Sequence, residues 1–201
     1  LNGANIAIVL FITLWALRLG TFLFMRIHKD GEDKRFRSIK PSATQFFMTW
    51  TLQGLWVSMC SMCALTAISS ETGVVMNALF YIGLGLFVYG FCTEIIADNQ
   101  KSKFRSVPEN RDKFITTGLW AKSRHPNFFG EIVLWAGVAV MSFSSLNGLQ
   151  YLTLISPVFT YLLLVYVSGV RMLEARADKK WGQDEEYIKY KSETPVLMIK
   201  Y

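Results

Sequence analysis

The chain has 201 residues, of which 52% are apolar and 14% aromatic, and its 21 Lys and Arg outnumber 15 Asp and Glu for a formal net charge of +6. The apolar residues fall in long blocks rather than alternating stripes, which argues against a soluble globular domain and points to an all-α integral membrane protein. Cys60, Cys63 and Cys92 lie inside those blocks as small apolar side chains and imply no disulfide framework.

Taken in chain order, five stretches approach the roughly 20 residues a helix needs to cross the hydrocarbon: about 4–27, 44–69, 74–97, 128–145 and 150–170. They predict a bundle of about five transmembrane helices forming a single domain over 1–201. The first stretch begins directly after Leu1-Asn2-Gly3-Ala4-Asn5, without the charged region and cleavage site of a signal peptide. That abrupt start leaves room for residues or spans upstream of residue 1. Ser70-Glu71-Thr72-Gly73 and Leu146-Asn147-Gly148-Leu149 are tight hairpin turns without Lys or Arg.

Five of the 21 cations lie in 28–43, seven in 98–127 and seven in 171–201, with Arg18 and Arg26 in the first span. The positive-inside bias puts these three basic segments in the cytoplasm and the two hairpins on the other side, in a bacterial inner membrane or a eukaryotic endomembrane. Orientation thus accounts for the charge, and no basic stripe is left for nucleic acid. Residues 174–191 read as one cytoplasmic amphipathic helix with Lys179, Lys180, Lys189 and Lys191 toward lipid phosphates. Trp181 and Tyr187 read equally as headgroup anchors or as ligand contacts.

A charge in the hydrocarbon costs roughly 2.5–3.5 kcal/mol on insertion scales, so each one kept there needs a reason. Arg18 can snorkel or pair with a carboxylate. Glu94 lies one turn before Asp98 on the same helix face, where the two either pair with loop cations or serve a ligand. Glu131 follows Asn127 by four residues and shares its face, which favours function. The run Gly118-Leu119-Trp120-Ala121-Lys122-Ser123-Arg124-His125-Pro126-Asn127-Phe128-Phe129-Gly130-Glu131 leads a cationic turn straight into that helix. A helix start offers free N–H groups and a positive dipole end, a setting for an anionic ligand. His28 and His125 are the only histidines and form no His-Glu-x-x-His pattern, and Cys60-x-x-Cys63 stands without a second pair, so no metal is expected.

This run, through Ser123-Arg124-His125-Pro126-Asn127-Phe128-Phe129-Gly130-Glu131, resembles the steroid 5α-reductase family, in particular its bacterial and plant branch. Three further segments agree, in the family's order. They are Trp15-Ala16-Leu17-Arg18-Leu19-Gly20 with Arg26 and Gly31-Glu32-Asp33-Lys34-Arg35-Phe36; Ala97-Asp98-Asn99-Gln100-Lys101-Ser102-Lys103-Phe104; and Ser168-Gly169 with Glu174, Asp178, Lys180-Trp181-Gly182, Tyr187 and Tyr190. The resemblance implies an NADPH-dependent reduction of a carbon–carbon double bond conjugated to a carbonyl, in a steroid-like or other lipid substrate. It implies a cofactor entering from the cytoplasmic side, held by Asp98, Lys101, Lys103, Arg105, Arg124, His125, Asn127, Glu131, Arg171, Tyr187 and Tyr190. Asn127 and Glu131 would meet the nicotinamide end, Asp98 a ribose or an ordering Arg, and the two tyrosines the adenosine side or the closure of the tail.

Relatives polarise the carbonyl with an acid and a tyrosine from early spans, whereas here the first span has no Tyr and shows Trp15 near that place. Gln53, by a Gln-Gly pattern, and Glu94 stand in as catalytic candidates beside Glu131, ahead of Tyr81 and Tyr89. Two other readings remain open. An S-adenosylmethionine-dependent membrane methyltransferase of the isoprenylcysteine carboxyl methyltransferase type shares the Arg-His-Pro-x-aromatic-x-Gly turn, but the Asp98-x-Gln100-Lys101 cluster and the Asn127–Glu131 pair suit a dinucleotide better. A non-catalytic reductase-like membrane subunit is the other. Membrane lipids are the expected surroundings, and neither the physiological substrate nor protein partners are legible.

Overall fold

The computed structural model describes residues 2–33 and 36–200, apart from the side chains of Asp30 and Ser38. Lys34 and Arg35, quoted above within the segment around Gly31, lie outside the described residues. The described residues form helices and no strands: α1 (Gly3–Asp30), α2 (Phe36–Ile39), α3 (Ala43–Ser69), α4 (Ala78–Ser106), α5 (Pro126–Ser142), α6 (Ile155–Leu162), α7 (Val170–Trp181) and α8 (Glu185–Glu193), connected by turns, loops and 3-10 segments. Five stretches are long and apolar enough to cross a membrane: Gly3–Lys29, Ala43–Ser69, Ala78–Ser106, Pro126–Ser145 and Gly148–Trp181.

Asn and Ser side chains set the helix starts, because a side-chain oxygen there satisfies an otherwise orphaned N–H. Asn2 accepts from Asn5, Ser42 from Gln45 and Asn77 from Phe80. The third span departs from its expected bounds of 74–97 at both ends. Val74 stays extended because its N–H donates to Asn5 Oδ1 at 2.7 Å and its carbonyl accepts from Asn2 Nδ2 at 2.8 Å. At the other end α4 continues to Ser106, since 98–106 contains no Gly or Pro to stop it before Pro108. The fifth stretch is less regular than a single span. It runs from a 3-10 segment (Gly148–Leu154) through α6 to a π-turn (Leu163–Val167) before α7.

The chain divides into two compact units, Leu1–Met76 with Ser142–Ser156 and Asn77–Met141 with Pro157–Tyr201. In the first, α3 buries Cys60, Cys63, Ala64 and Ala67, a stripe at helical spacing, and Ser156 Oγ donates to the Cys60 carbonyl. In the second, α4 and α5 meet backbone to backbone. A Cβ on Gly83 would lie 2.6 Å from the Gly137 carbonyl oxygen, and one on Gly90 would lie 2.4 Å from that of Gly130. The pairing of 83 with 137 and of 90 with 130 makes the two helices antiparallel, with small residues permitting the approach.

Candidate functional site

The residues of this turn, of α4, α5, α7 and α8 described next belong to the second unit. The turn ahead of α5 is shaped by its own backbone needs. Gly118 has φ +63, a conformation disfavoured for other L-residues, and lies so close to Gln100 that a Cβ there would collide with the amide. Gln100 Oε1 accepts the Leu119 N–H at 2.9 Å, and Trp120, buried, donates Nε1–H to the Ala97 carbonyl at 3.1 Å. Lys101 Nζ sits 4.3 Å over the Trp120 ring, a cation–π contact. Ser123 Oγ donates to the Leu197 carbonyl at 2.9 Å and accepts the His125 N–H at 3.3 Å. Pro126 then opens α5 where its missing N–H costs nothing.

Arg124 and His125 of this turn meet a carboxylate from α7. Arg124 Nη1 lies 2.6 Å from Glu174 Oε2, and His125 Nε2 lies 2.8 Å from Glu174 Oε1. Lys191 on α8 stands 3.8 Å from the same carboxylate and pairs with Asp178, to which Tyr187 also donates at 3.2 Å. Burial holds the His125 imidazole below the ordinary histidine range, against the opposing pull of Glu174.

The tail is fastened to the turn at several further points. The Arg124 N–H donates to the Pro195 carbonyl and the Lys200 N–H to the Lys122 carbonyl, each at 2.9 Å. Tyr190 donates its hydroxyl to the Trp120 carbonyl at 2.6 Å, and burial raises its pKa to about 12. Burial, with Asp178 second, also raises that of Tyr187. Phe114 packs against Trp181, Tyr187 and Tyr190, with ring centroids 5.2–5.8 Å apart, and Trp181 Nε1 donates to the Asp112 carbonyl at 2.7 Å.

The α4–α5 contact sets two acid-bearing helix segments side by side. A Cβ on Gly130 would lie 2.8 Å from the Glu94 backbone nitrogen, so Glu94 abuts the residue preceding Glu131. Glu94, Asp98 and Glu131 are all buried. Three buried polar atoms at the start of α5, Arg124 Nε, His125 Nδ1 and Asn127 Oδ1, have no hydrogen-bond partner among the described residues. They present one donor and two acceptors to whatever meets them, given the neutral His125 form.

Of the residues singled out from sequence, Arg124, His125, Tyr187 and Tyr190 belong to the closure, and Asn127, Glu131, Glu94 and Asp98 line the two facing helices. Lys103, Arg105 and Arg171 are exposed. Gln53 is exposed on α3 and belongs to the first unit. The tail corrects two expectations. It forms two helices rather than one, because Asp184 caps α8 after the break at Gly182, accepting from Glu186 and Tyr187. Two of its four lysines turn to protein carboxylates rather than lipid phosphates, Lys180 to Asp112 and Lys191 to Asp178. Trp181 and Tyr187 pack on Phe114. The resemblance gives Glu174 no role. Its spacing from Asp178, one turn apart on one face of α7, was the available signal for a carboxylate pair awaiting cations.

The family described as "Protein of unknown function (DUF1295)" matches residues 2–194. A curated relative, the probable O-methyltransferase ustE of Ustilaginoidea virens, is 29% identical over 116 residues, covering 50% of this chain. The chain spans 41% of that relative's length. No solved structure matches.

Proposed function

We propose that this chain, which belongs to the DUF1295 family, is a multi-pass membrane reductase of the steroid 5α-reductase type, using NADPH to reduce a double bond conjugated to a carbonyl in a steroid-like or other lipid substrate. The observation that carries this reading is the set of buried polar atoms of Arg124, His125 and Asn127, without a hydrogen-bond partner among the described residues, at the start of a 17-residue helix. Such atoms are costly without a partner, and a polar ligand there would supply one. The donor set fits a nucleotide, whose hydroxyls, amide and phosphate oxygens provide matching donors and acceptors.

In this reading Lys101, Lys103, Arg105, Arg124 and Arg171 attract the phosphates, and Arg124 retains Nε for a ligand oxygen while its Nη1 holds Glu174. Asn127 and Glu131 hold the reactive end, with Asp98 one turn beyond Glu94 on α4. The cap formed by Phe114, Trp181, Tyr187 and Tyr190 excludes water from it. NADPH, when bound, supplies the hydride. Glu94 and Glu131, buried where α4 and α5 touch, are the groups assigned to hold a proton at the carbonyl oxygen as enolate charge develops. The basic segments 28–43, 98–127 and 171–201 face the cytoplasm in this reading, so the nucleotide arrives from that side.

A methyltransferase is the second reading, favoured by the fungal relative's description as a probable O-methyltransferase. The two are separated by thermal shift of the detergent-purified protein with NADPH, NADH and S-adenosylmethionine, since a binder of the native state raises its apparent stability. A selective rise with NADPH is expected. A rise with S-adenosylmethionine alone moves the chain to the methyltransferases, and no rise with any of the three favours a non-catalytic subunit.

A further inference from the structure

His125 is 6% exposed and its ring stacks on Phe128, with centroids 5.8 Å apart. Its Nε2 faces a carboxylate oxygen of Glu174, while the other oxygen of that carboxylate holds Arg124. A carboxylate between cations is ionised and can only accept, so the hydrogen of a neutral His125 resides on Nε2. Nδ1 is then left with a lone pair. It is buried and has no hydrogen-bond partner among the described residues. A second proton on the ring would put an unpaired N–H in that buried position beside Arg124, which is costlier still.

We propose that His125 is a positioning residue whose Nδ1 accepts a hydrogen bond from an O–H or N–H of the nucleotide bound at the start of α5, either a ribose hydroxyl or a carboxamide. Glu174 acts through His125 by fixing the tautomer, as a carboxylate does behind many functional imidazoles. The inference rests on the reading above in that a nucleotide binds at this place. It goes further in assigning one ring nitrogen a direction of hydrogen bonding.

Two variants separate this role from simple attachment of the tail. In His125→Asn the side-chain amide stands near the former Nδ1 and can still accept from the ligand, whereas in His125→Gln it reaches toward Glu174 in place of Nε2. Ligand positioning therefore predicts that His125→Asn retains nucleotide affinity and His125→Gln loses about tenfold, one ordinary hydrogen bond. Attachment alone predicts the reverse order. Both variants and the parent are titrated with NADPH and with S-adenosylmethionine by thermal shift, the ligand-free melting temperature of each reporting its folding. The same order with both ligands identifies the ribose hydroxyl as donor, and the order with NADPH alone identifies the carboxamide. A parent that binds NADPH while the variants show the reverse order overturns this inference and leaves the reductase reading standing. A parent that responds to neither nucleotide overturns both. Nitrogen NMR of the labelled histidines supplies a second check. The proton is expected on Nε2 in the ligand-free protein, with the Nδ1 signal moving when NADPH is added, and a proton on Nδ1 in the free protein overturns the assignment.

Discussion

Each oxygen of the Glu174 carboxylate takes a different side chain, the Arg124 guanidinium on one and the His125 imidazole on the other, and the Arg124 side chain is only 9% exposed. Removing the carboxylate leaves a guanidinium with little water to replace it, so Glu174→Ala is expected to cost about 2–3 kcal/mol, measured by reversible unfolding in mixed micelles. A cost near zero would show that the tail is held by its other contacts. The same cluster makes stability depend on pH. The groups acting on the His125 ring are Glu174, which favours its charge, and Lys101 and Arg124, which oppose it, with burial the largest effect. The folded protein thus binds the His125 proton less tightly than the unfolded chain does. This contribution to stability is complete above the ordinary histidine pKa of about 6.5 and is lost as pH falls through the lower folded value. Melting temperature is expected to drop between pH 7 and pH 5 more steeply in the parent than in His125→Asn, and parallel profiles would exclude His125 as the cause.

At the scale of elements, the antiparallel α4–α5 pair depends on four glycines in two contacts, 83 with 137 and 90 with 130. A methyl group placed there meets backbone rather than a yielding side chain, so the helices must separate. Gly90→Ala is expected to destabilise by about 1–3 kcal/mol. Gly85 lies on the same helix with nothing within 4 Å, and Gly85→Ala is expected to be neutral or stabilising by up to about 1 kcal/mol through helix propensity. Thermal denaturation of both variants in one detergent checks the contrast. If Gly90→Ala melts with the parent, α4 and α5 are not in backbone contact. Because Glu94 abuts Gly130, Gly90→Ala should also impair the proposed nucleotide binding at the start of α5, whereas Gly85→Ala should leave it intact.

For the molecule as a whole, the prediction concerns sidedness. With Cys60, Cys63 and Cys92 replaced by Ala, a cysteine introduced by Ser102→Cys at the end of α4 is expected to react with an impermeant maleimide only from the cytoplasmic side of sealed vesicles. One introduced by Thr72→Cys, in the turn after α3, is expected to react only from the opposite side. Labelling of both from one side would overturn the topology. Membership of the DUF1295 family extends over residues 2–194, so the two compact units are parts of one family architecture.

Much of the fold was legible in the sequence because the five apolar stretches are set by length and hydropathy, which are local properties. Their ends were less so. Whether Val74 begins a helix depends on Asn2 and Asn5, about 70 residues away, and hydropathy carries no record of that. Arg124, His125, Asn127 and Glu131 stood out because polar groups beside an apolar helix are expensive, a cost that can be read from neighbouring residues alone. Glu174 could be suspected only through its spacing from Asp178, and its partners lie about 50 residues earlier. The amino-acid order by itself therefore determined the helical class, the number of apolar stretches and the polar junction, since each follows from composition over one or two turns. Tertiary structure alone decided that Glu174 meets Arg124 and His125 and that glycines on α4 and α5 meet. These outcomes depend on which distant groups satisfy one another's hydrogen bonds and on how closely two backbones can approach, and neither is a property of any single stretch of chain.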